Sequence, residues 1–223
     1  MDQSRTRPAK RPSLRPRTTR LFEINDHIAR SSANGLELID TGSPVSMPIP
    51  REAKEAVDPR LTHLIGMDEL GRSPFVLDWT SATLVQSAPR PRAAASSPLQ
   101  SVMSIPAIAV TVHIAGQPAP ATAFLDTGAP IGYAPAAAVR GLTSIGDKED
   151  FFPGLGRFTT PVYEVEVEAL GLRQHVRVGV LPPLLAMALS LLGPDTWILG
   201  ADFFRGRRLW FDTKNGEIAQ AIG

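Results

Sequence analysis

Alternating apolar and polar positions mark much of the second half of the chain as β-strand. Ile108, Val110, Val112 and Ile114 alternate, Gly116 marks a turn, and residues 121–125 form a further strand that ends at Asp126. Val165 and Val167 alternate with Glu164, Glu166 and Glu168, and after a turn at Gly171 the pattern resumes at Val176, Val178 and Val180. This predicts two paired strands with one wet face. The first half reads as a shorter version, with strands at 21–24, at 36–39 running into Asp40, and at 75–79. Leu184, Leu185, Met187, Ala188, Leu191 and Leu192 follow a proline pair and stop at Gly193, which predicts a short, mostly buried helix.

The chain repeats itself. Leu38-Ile39-Asp40-Thr41-Gly42-Ser43-Pro44-Val45 recurs as Phe124-Leu125-Asp126-Thr127-Gly128-Ala129-Pro130-Ile131. A second block, Leu64-Ile65-Gly66-Met67-Asp68, recurs as Ile198-Leu199-Gly200-Ala201-Asp202. Twelve residues beyond each of these glycines stands a further aspartate in apolar company, Asp78 and Asp212. One Asp-Thr-Gly would read as a turn; two copies with three blocks in register read as an internal duplication. Asp40 and Gly66 are 26 residues apart, Asp126 and Gly200 74, so the second half carries the longer insertion.

Composition sets the boundaries. Residues 87–104, with three prolines among Ala, Ser and Arg and no periodic apolar face, read as a linker between a first lobe at 21–86 and a second at 105–223. Residues 1–20 hold seven basic side chains against Asp2 alone, broken by Pro8, Pro12 and Pro16, and read as a disordered basic tail. A role for this tail on nucleic acid or an anionic surface is weighed below a merely solvated extension. It has no apolar run of the secretory type, and no stretch elsewhere is long and apolar enough to span a bilayer. With no cysteine in the chain, disulfides, thiolate metal sites and a cysteine nucleophile are excluded. Together these features favour the cytoplasm. His27, His63, His113 and His175 lack metal-ligand spacing, so neither metal nor cofactor is expected. Arg205, Arg207 and Arg208, among aromatics, read as decoration of a strand edge rather than a nucleic-acid patch.

On its paired Asp-Thr-Gly triplets and the aliphatic-aliphatic-Gly that follows each, the chain resembles the retropepsin-like and pepsin-like aspartic proteases. The resemblance implies an all-β acid-protease fold, with two closed-barrel lobes in one chain and a few short helices. It implies a catalytic pair at Asp40 and Asp126, supported by Thr41 and Thr127 bonding across the lobe interface and by Gly42 and Gly128, which let the backbone approach. A polypeptide substrate would then lie against Ser43, Ala129, Leu64 and Ile198, under a glycine-rich flap at Gly154, Leu155 and Gly156. The first lobe is too short between its blocks for a flap of its own. Two other readings stay open: self-association, with the second lobes of two chains pairing through Asp126, and a non-catalytic interaction module on the same fold.

Overall fold

The computed structural model describes residues 15–152, 156–193 and 195–222. The fold is all-β, with two sheets and four short helices among these residues. In chain order the elements of the first half are β1 (Arg17–Ile24), β2 (His27–Ser32), β3 (Gly35–Ile39), β4 (Met47–Pro48), α1 (Arg51–Ala56), β5 (Leu61–Ile65), α2 (Met67–Leu70), β6 (Phe75–Asp78) and β7 (Thr83–Gln86). There follow β8 (Ala93–Pro98), β9 (Gln100–Val102), β10 (Ile105–Ile114), β11 (Gln117–Leu125), β12 (Gly132–Ala134), β13 (Gly146–Phe152), β14 (Gly156–Ala169) and β15 (Leu172–Val180). The chain ends with α3 (Pro183–Ser190), β16 (Thr196–Leu199), α4 (Ala201–Phe204), β17 (Arg208–Asp212) and β18 (Glu217–Ala221).

The sequence duplication is also a duplication of register. β3 pairs in parallel with β5, Ile39 opposite Ile65, and β11 pairs in parallel with β16, Leu125 opposite Leu199. Met47 faces Leu64 in the first half as Tyr133 faces Ile198 in the second. β6 and β17 pair antiparallel, with Phe75 opposite Phe211, Val76 opposite Trp210 and Leu77 opposite Leu209, so that two equivalent strands meet about a two-fold at Val76 and Trp210. Their return strands match as well: Phe75 pairs with Gln86 and Leu209 with Gln220.

These pairings place six neighbouring strands in the order β1-β7-β6-β17-β18-β8 within a ten-stranded sheet. The halves are therefore joined by backbone hydrogen bonds as well as by side chains. Phe75 and Phe211 stack with ring centroids 4.7 Å apart, and one apolar cluster runs from Leu21, Ile39 and Leu77 to Val167, Leu199 and Phe211. Burying each such aromatic contributes about 2–3 kcal/mol, which makes the join a core rather than a contact.

Four expectations change. The stretch read as a linker contains two strands, and β8 pairs with β18, Ser96 opposite Ala219. A ladder of backbone bonds needs no apolar side chains, and Pro98 is tolerated because β8 is the edge of its sheet. Residues 17–20, assigned to the tail, form the start of β1 and pair with β7; residues 1–14 lie outside the described residues. The helix after the proline pair forms, but it is not buried. Leu185, Ala186 and Leu189 pack on the Tyr133 cluster, while Leu184, Met187 and Leu191 face outward, Leu191 with 82% of its surface exposed. Nor do the arginines of the last block share a strand edge. Arg207 is fully buried with its guanidinium 4.2 Å above the Phe203 ring, and Arg205 is drawn into ion pairs with Asp26, Asp202 and Glu23. None of the described helices is long and apolar enough to cross a membrane.

Candidate active site

Each triplet follows a strand end, β3 or β11, that is hydrogen-bonded into a parallel pair. Asp40 donates its backbone N–H to Ile65 and Asp126 to Leu199, both at 3.0 Å. This fixes where each aspartate leaves its sheet. The loops then turn toward each other. Gly66 and Gly200 make room for them, since a Cβ on Gly66 would lie 2.6 Å from the Val45 carbonyl group and one on Gly200 2.2 Å from the Ile131 oxygen.

The threonines form a reciprocal lock. Thr41 Oγ1 donates to the Leu125 carbonyl at 2.6 Å and accepts the Thr127 N–H at 3.1 Å; Thr127 Oγ1 donates to the Ile39 carbonyl at 2.7 Å and accepts the Thr41 N–H at 3.0 Å. Both side chains are wholly buried. Each hydroxyl thus uses donor and acceptor across the junction, and the two loops are held at one separation.

That separation brings the Asp40 and Asp126 carboxyls together, each lying against the glycine of the other triplet. Each also accepts the N–H of its own glycine at 2.8 Å, Gly42 to Asp40 and Gly128 to Asp126. Glycine is required at both places: a Cβ on Gly42 would stand 2.1 Å from the Asp126 carboxyl carbon, and one on Gly128 2.5 Å from that of Asp40. Burial, then the charge of Asp126, pushes the Asp40 carboxyl well above the usual carboxylate range. Burial also raises Asp126, opposed by the hydrogen bond from Asp40 and with a further push from Asp150. The pair therefore holds one proton at pH values where isolated carboxyls have lost theirs.

Two cavities flank the pair. One, of about 280 Å³, is lined by both aspartates and by Ser43, Leu64, Ala129, Tyr133, Phe158 and Ile198. The other, of about 210 Å³, lies on the first-half side, between His27, Leu38, Ile49, Val57 and strand β13. Leu64 and Ile198, half-buried beside buried Ile65 and Leu199, line the cavity and also pack against the neighbouring apolar clusters. Ser43 and Ala129 differ less than their side chains suggest: the Ser43 hydroxyl donates to the Val45 carbonyl, and both residues offer backbone N–H groups to the neighbouring carboxyl.

β13 and β14 form the hairpin expected near the glycine-rich segment, Phe152 pairing with Gly156. Gly156 takes a positive φ of +89° as β14 begins; Gly154 and Leu155 lie outside the described residues. In the first half the equivalent place between β4 and β5 is taken by α1, which packs against β13, so no second hairpin forms there.

Several residues beside the pair escape sequence reasoning. Tyr133, from β12, donates its hydroxyl to Asp150 of β13. His27 is buried beside Gly128, and burial lowers its pKa to about 4. Lys148 reaches from β13 to Asp26 of the first half at 3.0 Å. Tyr133 had a signal, since it stands seven residues after Asp126 as Met47 does after Asp40; the others had none.

No family model and no curated protein matches the chain. Among solved structures 106 chains match, including the foamy viral protease-reverse transcriptase in complex with RNA/DNA hybrid, at 19% identity and a TM-score of 0.27. That match covers 48% of this chain and 11% of the viral protein, so the chain spans about a tenth of that neighbour's length.

Proposed function

We propose that this chain is an aspartic endopeptidase that builds its catalytic pair within one polypeptide, from Asp40 of the first half and Asp126 of the second. The observation that carries this reading is the facing pair itself: two half-buried carboxyls side by side, clamped by the threonine lock, between cavities able to take side chains. Like charges this close do not both ionise, so one carboxyl keeps a proton. The ionised member takes a proton from a water lying between them, and that water's oxygen adds to the peptide carbonyl carbon. The protonated member gives its proton to the carbonyl oxygen. Collapse of the tetrahedral adduct breaks the C–N bond: the nitrogen leaves with the proton taken from water, and one hydroxyl of the adduct returns its proton to the other carboxyl, restoring the pair.

An extended polypeptide would run along the cleft against Ser43, Ala129, Leu64 and Ile198, under the β13–β14 hairpin. Gly42 and Gly128 keep side chains away from the reacting atoms, and Thr41 and Thr127 position the carboxyls.

The test is peptide hydrolysis at mildly acid pH by the wild type and by Asp40→Asn and Asp126→Asn separately, with binding of a transition-state-mimicking inhibitor read alongside. Loss of cleavage in both variants of a monomer is expected. Full activity in Asp40→Asn would point instead to pairing of Asp126 between two chains. A wild type that neither cleaves nor binds the inhibitor would leave an interaction module.

A further inference from the structure

Strand β13 carries four consecutive charged residues, of which Lys148, Glu149 and Asp150 lie beside the cleft, and two of these three are already matched. Lys148 pairs with Asp26 at 3.0 Å and Glu149 with Arg157 across the hairpin at 2.6 Å. Asp150 is held by neutral donors: the Tyr133 hydroxyl, and the Phe151 N–H at 2.7 Å. Among the described residues it forms no ion pair; Lys148 acts on it only from a distance, its ammonium lying on Asp26. Burial raises its carboxyl above the ordinary range. Asp150 lines both cavities beside the aspartate pair, together with Met47, Leu64 and Phe151.

A half-buried carboxylate fixed in place and left without a counter-charge is costly unless something else brings the charge. Here the open space in front of it is where a substrate would lie. We propose that Asp150 selects a substrate residue with a long basic side chain, lysine or arginine, next to the cleaved bond. This rests on the peptidase reading above. The aliphatic stem of such a residue runs along Met47, Leu64 and Phe151, and its cationic head meets Asp150, whose orientation the Tyr133 hydroxyl fixes. An uncharged chain of the same length gains the apolar walls but leaves the carboxyl unmatched. An acidic one adds a like charge to Asp150 and to the aspartate pair.

The experiment uses peptides identical except for the residue on either side of the cleaved bond, which is lysine, arginine, norleucine or glutamate in turn. kcat/KM is measured for the wild type and for Asp150→Asn. At one of the two positions the wild type is expected to prefer lysine over norleucine by roughly tenfold or more, as a hydrogen-bonded charge pair warrants. Asp150→Asn brings that ratio to about one, through loss on the basic substrates. As a measurement independent of any variant, two transition-state-mimicking inhibitors differing only in lysine against norleucine bind the wild type with the same preference. Equal cleavage of lysine and norleucine peptides by the wild type, or an unchanged ratio in Asp150→Asn, overturns the selection while leaving the peptidase reading intact. Failure to cut any of the peptides overturns both.

Discussion

His27 gives a prediction whose size follows from its surroundings. Its imidazole is buried, with 6% of the residue exposed, against Gly128 of the opposite triplet. Burial disfavours the imidazolium; Asp26 favours it and Lys148 opposes it, and burial dominates, lowering the pKa from 6.5 to about 4. Between these values the unfolded chain binds a proton that the folded chain refuses. The His27 contribution to stability is therefore intact above pH 6.5 and declines as pH falls toward 4. At about 1.4 kcal/mol per pH unit, the loss by pH 4.5 is about 3 kcal/mol. Other groups titrate too. The aspartate pair has raised pKa values, so its contribution grows as pH falls, whereas Asp26 and Asp202 have lowered ones and lose theirs only in stronger acid. Comparison with His27→Gln, which cannot titrate, removes these shared terms. Urea unfolding at pH 7.5 and 4.5 should show the stability difference between the two proteins moving by about 3 kcal/mol in favour of the variant. Parallel stability curves across that range would mean that His27 titrates alike in the folded and unfolded chains.

The remaining predictions concern the pair and its support. Thr41→Ala and Thr127→Ala each strand a buried N–H and a carbonyl, and each should destabilise the fold by about 1–3 kcal/mol in denaturant titration, with Thr→Ser recovering most of it. Gly42→Ala should abolish peptide cleavage while circular dichroism stays β-rich, since the added methyl overlaps the Asp126 carboxyl. Because burial raises both carboxyls, kcat/KM should hold through mildly acid pH and fall only as the retained proton is lost, above the ordinary carboxylate range. A pH profile with its upper limb near pH 4 would contradict that assignment.

The duplication made the frame of the fold legible from sequence. Paired triplets and paired aliphatic-aliphatic-Gly blocks mark the places where parallel strand pairs and two sharp loops must recur, and the register of β6 with β17 follows the same repeat. Side chains that act only in three dimensions were not legible. Asp150 sits in a run of charges, Asp147-Lys148-Glu149-Asp150, that looks like a solvated turn until the hairpin folds over the cleft. His27 has no neighbour in sequence that explains its burial; its partner, Gly128, is a hundred residues away. β8 was hidden because an Ala and Ser strand carries no apolar period, its pairing with β18 being a matter of backbone alone. α3 misled in the opposite way: it is apolar on every side, and such a pattern cannot tell which face is covered.

Titration of active sites with a tight-binding, transition-state-mimicking inhibitor tests most directly whether one chain closes its own acid pair. One inhibitor should bind per polypeptide in a species that sediments as a monomer, with binding lost in both Asp40→Asn and Asp126→Asn. One inhibitor per two chains, with Asp40→Asn still binding, would contradict it.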